Sequence, residues 1–144
     1  MTDKNPFRPL IEVNVTAADW KEAVQYGGDL LVKAGKAEPR YVRAMIDNIE
    51  QLGPYMIIAP GVALPHARPE NGVKQKGLSI VLLKEPVRFG EEEVRLLISL
   101  AATDNHSHLD LLKQVADVLQ NEDNLNQIFQ AKSAADIEAL FAAS

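Results

Sequence analysis

The chain has 144 residues, the size of one ordinary domain, and no Pro/Ser-rich linker divides it. Hydrophobic residues make up 47% and charged residues 24%, a balance that excludes a disordered or fibrous chain. A formal net charge of -5, an isoelectric point near 5.2 and the lack of any Lys/Arg cluster argue against a nucleic-acid partner, and the absence of cysteine excludes disulfides, thiolate metal sites and cysteine nucleophiles.

The first residues, MTDKNPFRPL, contain no apolar signal-peptide region, and no run approaches the roughly 20 apolar residues of a membrane span. A cytoplasmic protein without direct membrane insertion is expected. The segment LIEVNV, 10 to 15, alternates like a half-buried strand, and Thr16 is placed to cap a helix over 17 to 34. Trp20, Ala23, Val24, Gly27 and Leu31 form the apolar face of that helix, with Gly35 as its stop. Gly27 and Gly28 each cost about 1 kcal/mol in a helix interior relative to alanine, which close packing against a neighbour explains.

Pro39 suits the first turn of a second helix, whose stripe is Tyr41, Met45, Ile49 and Leu52 and whose end is Gly53-Pro54. YMII (55 to 58) and VAL (62 to 64) read as short strands around Pro60-Gly61. GLSIVLL (77 to 83) and VRLLISLAA (94 to 102) read as buried strands, with Glu91, Glu92 and Glu93 as a solvated loop between them. Asp104 or Ser107 then caps a helix with apolar positions Leu109, Leu112, Val115, Ala116 and Leu119. Short helices near 125 to 130 and 134 to 141 finish the chain. Interleaved helices and strands, with apolar runs such as SIVLL, predict a single α/β domain whose sheet is buried on both faces by helices.

Three histidines, His66, His106 and His108, fall in predicted loops at or just past strand ends, where sites collect on α/β sheets. His66 sits in APGVALPHARPE, with prolines at 60, 65 and 69 restricting the backbone on both sides. A solvated surface histidine needs no such frame; a ring held still for a partner does. A neutral imidazole has a ring nitrogen available as nucleophile, base or ligand near pH 7. If His108 stands in the first turn of its helix, the helix N-terminus would favour an incoming anion beside it. Arg68 could supply a cationic fork to phosphate oxygens, or pair on the surface with Glu70.

Other chemistries fit less well. No GxxxxGK[ST] or GxGxxG stands ready for a nucleotide, so a phosphoryl group would arrive already activated on another protein. H-x-H at 106 and 108 with His66 could form a three-histidine metal site, but HEXXH and its relatives are absent. Ser79 and Ser99 lie in buried strands without a nucleophile elbow. No metal and no cofactor is therefore expected.

The stretches IAPGVALPHARPENGV, GLSIVLLKEPVRFG and LLISLAATDNHSHLDLLKQVADVL resemble the mannitol and fructose type of IIA component (EIIA type 2) of the bacterial phosphoenolpyruvate-dependent sugar phosphotransferase system. GVALPH matches the family's G-[IV]-A-[ILV]-P-H motif residue by residue, PHARPE is similar to the ascorbate-type branch, and the likeness spans nearly all of residues 1–144. The resemblance implies a mixed sheet flanked by helices and a phosphotransferase in which His66 accepts phosphate from HPr and passes it to a cognate IIB component, which with membrane IIC takes up the sugar. It implies that His108 is the second active-site histidine; aligning the helix residues LDLL selects His108, whereas counting from the strand leaves His106 in play. With no IIB or IIC portion in view, a free-standing component or an excised domain is expected. A regulatory module, whose His66 phosphorylation state controls a partner, fits the same residues.

Overall fold

The structure, a computed structural model, describes residues 8–53 and 56–143. Among them are five strands and five α-helices: β1 (Leu10–Val15), α1 (Trp20–Lys33), α2 (Pro39–Leu52), β2 (Ile57–Ala59), β3 (Val62–Ala63), β4 (Gly77–Phe89), β5 (Glu92–Ala101), α3 (Asn105–Leu119), α4 (Glu122–Phe129) and α5 (Ala134–Ala143), with one 3-10 turn at Pro69–Asn71. They build one mixed sheet in the order β1-β4-β5-β3-β2. The β1/β4 and β3/β5 pairs are parallel, and β4/β5 and β2/β3 antiparallel.

Unbroken apolar runs in β4 and β5 put these strands at the centre, because their side chains point alternately to two faces that both need cover. Leu78, Ile80, Leu82, Leu96, Ile98 and Leu100 pack against Leu111, Val115, Val118, Ile128 and Ile137 of α3, α4 and α5. On the opposite face Val81, Leu83 and Leu97 meet Ala23, Val24 and Leu31 of α1 and Tyr41, Met45 and Ile49 of α2. The expected α/β architecture, with helices on both faces, is the one observed.

The paired glycines of α1 have the close neighbours that their helix-breaking cost implies. A Cβ on Gly27 would come within 2.9 Å of Ser99 Oγ on β5, and one on Gly28 within 2.6 Å of a Val42 methyl on α2. Ser79 Oγ donates to the Gly27 carbonyl at 2.8 Å, so α1 lies directly on the sheet.

Several local expectations change. Helix α1 begins at Trp20, capped by Asp19 rather than Thr16, because the Asp19 carboxylate accepts the Glu22 N–H at 2.9 Å. In α2, Leu52 is 67% exposed and Val42 joins the buried stripe instead. Gly53 caps α2 with φ 81, while the expectations for Pro54 and Tyr55 lie outside the described residues. Strand β4 continues past Leu83 to Phe89 and turns at Gly90 into β5, so Glu92 and Glu93 belong to a hairpin, although their side chains remain exposed. In α3 the core-facing stripe is Ser107, Leu111, Val115 and Val118, with Leu109 65% exposed. No described helix is long and apolar enough to cross a membrane.

Candidate active site

Strand β3 ends at Ala63, and the chain leaves the sheet through Leu64, Pro65, His66, Ala67 and Arg68. Backbone bonds fasten this exit on both sides of the histidine. Leu64 N–H donates to the Met56 carbonyl at 2.9 Å, and Leu100 N–H, from the end of β5, donates to the Pro65 carbonyl at 3.0 Å. Ala67 N–H donates to the Tyr41 hydroxyl at 3.1 Å, and that hydroxyl lies 2.5 Å from the Leu100 carbonyl it donates to. The proline frame read from the sequence is thus reinforced by hydrogen bonds from α2 and β5.

The half-buried His66 ring is oriented by its own backbone: Nδ1 lies 2.8 Å from the Leu64 carbonyl. A carbonyl oxygen only accepts, so Nδ1 carries the proton of the neutral ring and the lone pair resides on Nε2.

His106 and His108 stand in the opening turns of α3, not in a loop as the sequence suggested. The helix starts there because Asp104 and Ser107 form a reciprocal cap: Ser107 N–H donates to Asp104 Oδ1 at 2.8 Å and Asp104 N–H to Ser107 Oγ at 3.1 Å. These bonds hold the Asp104 carboxyl below the usual carboxylate range. Two amides at the start of the helix are thereby engaged, since Asp104 takes that of Ser107 through its side chain and that of His108 through its carbonyl.

Capping in this register turns His108, and not His106, toward His66. The His66 and His108 ring centroids are 5.4 Å apart with their planes at 53°. Burial, with the neighbouring His66 adding to it, pushes the His108 pKa below its ordinary value of 6.5. His108 is therefore a neutral imidazole at pH 7. The His106 side chain is 86% exposed and its Nε2 lies 3.9 Å from Asp110. Arg68 is 82% exposed, its guanidinium 3.9 Å from the Glu70 carboxylate. Among the described residues no group of three or more His, Cys, Asp or Glu side chains is placed to hold a metal ion.

Tyr41 is the member of this neighbourhood that sequence reasoning missed. Its position in the α2 stripe marked it as core, and its hydroxyl partners are 26 and 59 residues away in the chain. The Asp104/Ser107 cap had a readable signal in its spacing. Chemically, the pair of histidines offers a held nucleophilic nitrogen and a second neutral ring able to hydrogen-bond whatever that nitrogen carries.

Residues 7–144 match the family model described as the phosphoenolpyruvate-dependent sugar phosphotransferase system, EIIA 2. The chain is 42% identical over 141 residues to the ascorbate-specific PTS system EIIA component of Salmonella choleraesuis, covering 95% of this chain and 89% of that protein. It is similar in structure to a putative PTS IIA from Streptococcus mutans, with TM-score 0.88, 36% identity, and 93% and 87% of the two chains covered. It is also similar to the Escherichia coli enzyme IIAMTL solved in complex with phosphorylated enzyme IIBMTL, with TM-score 0.82, 32% identity, and 93% and 94% covered.

Proposed function

Because the chain belongs to the EIIA 2 family of the phosphoenolpyruvate-dependent sugar phosphotransferase system and is thereby a phosphotransferase, we propose that His66 Nε2 is its phosphoryl acceptor and donor. The single observation that carries the assignment is the 2.8 Å bond from His66 Nδ1 to the Leu64 carbonyl, which leaves the lone pair on the other nitrogen.

In the forward step that lone pair attacks phosphorus on the phosphohistidine of HPr. A P–N bond forms to His66 as the P–N bond of the donor breaks, and the leaving imidazole recovers its electron pair. The His66 ring gains positive charge, and its Nδ1–H bond to Leu64 becomes charge-assisted and stronger. In transfer to a cognate IIB, acting with membrane IIC, the acceptor's nucleophile forms its bond to phosphorus as the P–N bond to His66 breaks, and Nε2 recovers its electron pair. In the step from HPr the bonds exchanged are alike, so the protein's task is positioning and charge neutralisation rather than a large driving force. His108, neutral and one ring away, donates a hydrogen bond to the phosphoryl oxygens as charge spreads over them. Arg68 is the cation nearest to His66 in sequence, and its exposed, 3.9 Å pair with Glu70 supports a role as a cationic partner for the phosphoryl group.

PHARPE and the 42% identity to an ascorbate-specific component support an ascorbate-type IIB as the acceptor. The test is to incubate the protein with phosphoenolpyruvate, enzyme I and HPr and to locate the phosphate by mass spectrometry. Acid-labile, alkali-stable label on His66, absent from His66→Ala, is expected; label that survives that substitution overturns the assignment. Onward transfer should favour an ascorbate-type over a mannitol-type IIB, and the reverse preference rejects the ascorbate branch.

A further inference from the structure

Resting on the reading of His66 as phosphoryl acceptor, we infer that Tyr41 is a positioning residue that holds the His66 segment in register with the strand leading to His108. The hydroxyl is fully buried, and burying one is costly unless it is hydrogen-bonded. Its bonds are spent on the site. It accepts from Ala67 N–H at 3.1 Å, donates to the Leu100 carbonyl at 2.5 Å, and lies 3.3 Å from the Ala67 carbonyl.

Leu100 closes the frame by donating its own N–H to Pro65. The residues on either side of His66 are therefore both fastened to Leu100, one directly and one through Tyr41. Leu100 lies next to the last residue of β5, after which the chain runs through the Asp104 cap into α3 and His108. One phenol thereby joins three separate elements: α2, the segment after β3, and the end of β5. A phenylalanine would fill the core equally well but could not make the join.

Removing the hydroxyl leaves the Ala67 N–H and the Leu100 carbonyl without that partner, and the segment must shift to satisfy them. In-line transfer between two rings tolerates little displacement, since an error of about 1 Å costs on the order of 100-fold in rate. Tyr41 acts through His66 and does not touch the phosphoryl group. Its loss should lower turnover while sparing recognition of the donor.

The experiment compares Tyr41→Phe with a stability-matched core variant on the same helix, Ile49→Val or Ile49→Ala. Two quantities are read: the labelling rate against HPr concentration, and the ring-nitrogen NMR shifts of His66 in the unphosphorylated protein. In Tyr41→Phe, kcat for labelling should fall about 10- to 100-fold with KM for HPr unchanged. The His66 signals should move from a single Nδ1–H tautomer toward the averaged pattern of a mobile imidazole. The Ile49 variant should show neither change. Unchanged ring signals, unchanged turnover, or equal losses in the Ile49 variant would each overturn the inference. If wild-type protein takes no label on His66, the functional assignment fails, and the ring signals alone decide whether Tyr41 positions His66.

Discussion

The imidazoles of His66 and His108 stand with centroids 5.4 Å apart, the first held by a loop after β3 and the second by the start of α3. The two rings have unequal surroundings. His66 has a backbone carbonyl fixing its tautomer, whereas His108 has burial keeping it neutral. The proposed division of roles, His66 as carrier and His108 as support, rests on that asymmetry.

Replacing His108 should therefore slow transfer without unfolding the protein. His108→Ala is expected to retain the fold and to be labelled on His66, with onward transfer slowed about 100- to 1,000-fold, the usual cost of one lost transition-state donor. His106→Ala, at an exposed position, should change either rate little. Rapid-quench transfer rates of the two variants check this, and a slow His106→Ala beside a near-normal His108→Ala contradicts it.

The lowered pKa of His108 also predicts how stability depends on pH. Between its folded pKa and the ordinary value of 6.5 the unfolded chain binds more protons, so stability rises with pH in that window. The contribution is fully present above 6.5, is lost as pH falls below it, and levels off under the folded pKa. Denaturant unfolding at a series of pH values should show a steeper loss on acidification for wild type than for His108→Gln. Parallel profiles for the two proteins contradict the prediction.

Gly28 should be intolerant of the smallest side chain. Gly28→Ala gains about 1 kcal/mol of helix propensity but forces a Cβ to within 2.6 and 2.8 Å of both Val42 methyls. Overpacking of this kind typically costs about 1–3 kcal/mol, so a net fall in melting temperature is expected. The double variant Gly28→Ala/Val42→Ala should recover part of that loss relative to Val42→Ala alone, a coupling that a double-mutant cycle measures. Strictly additive effects would mean that the two helices do not meet there.

The α/β layering was legible because it rests on local pattern: the apolar runs of β4 and β5 and the helical periods fix what each segment is. Which face a helix buries was less so. In α3, Leu109 and Leu112 compete with Leu111, Val115 and Val118 as apolar rows of similar period, and the register set by the Asp104 cap decides between them. The same cap decides which of His106 and His108 faces His66. Framing of His66 by prolines could be read directly, yet the clamp that completes it could not. A tyrosine in a buried stripe looks like any other core residue until the fold brings Ala67 and Leu100 to its hydroxyl.

Phosphorylation of His66 on Nε2, as proposed, is tested most directly by NMR of the phosphorylated protein with nitrogen-15-labelled histidine. A phosphorus–nitrogen coupling on His66 Nε2, with Nδ1 still protonated and His106 and His108 unmodified, is the predicted result. Coupling on His66 Nδ1, or on either other histidine, would contradict the account.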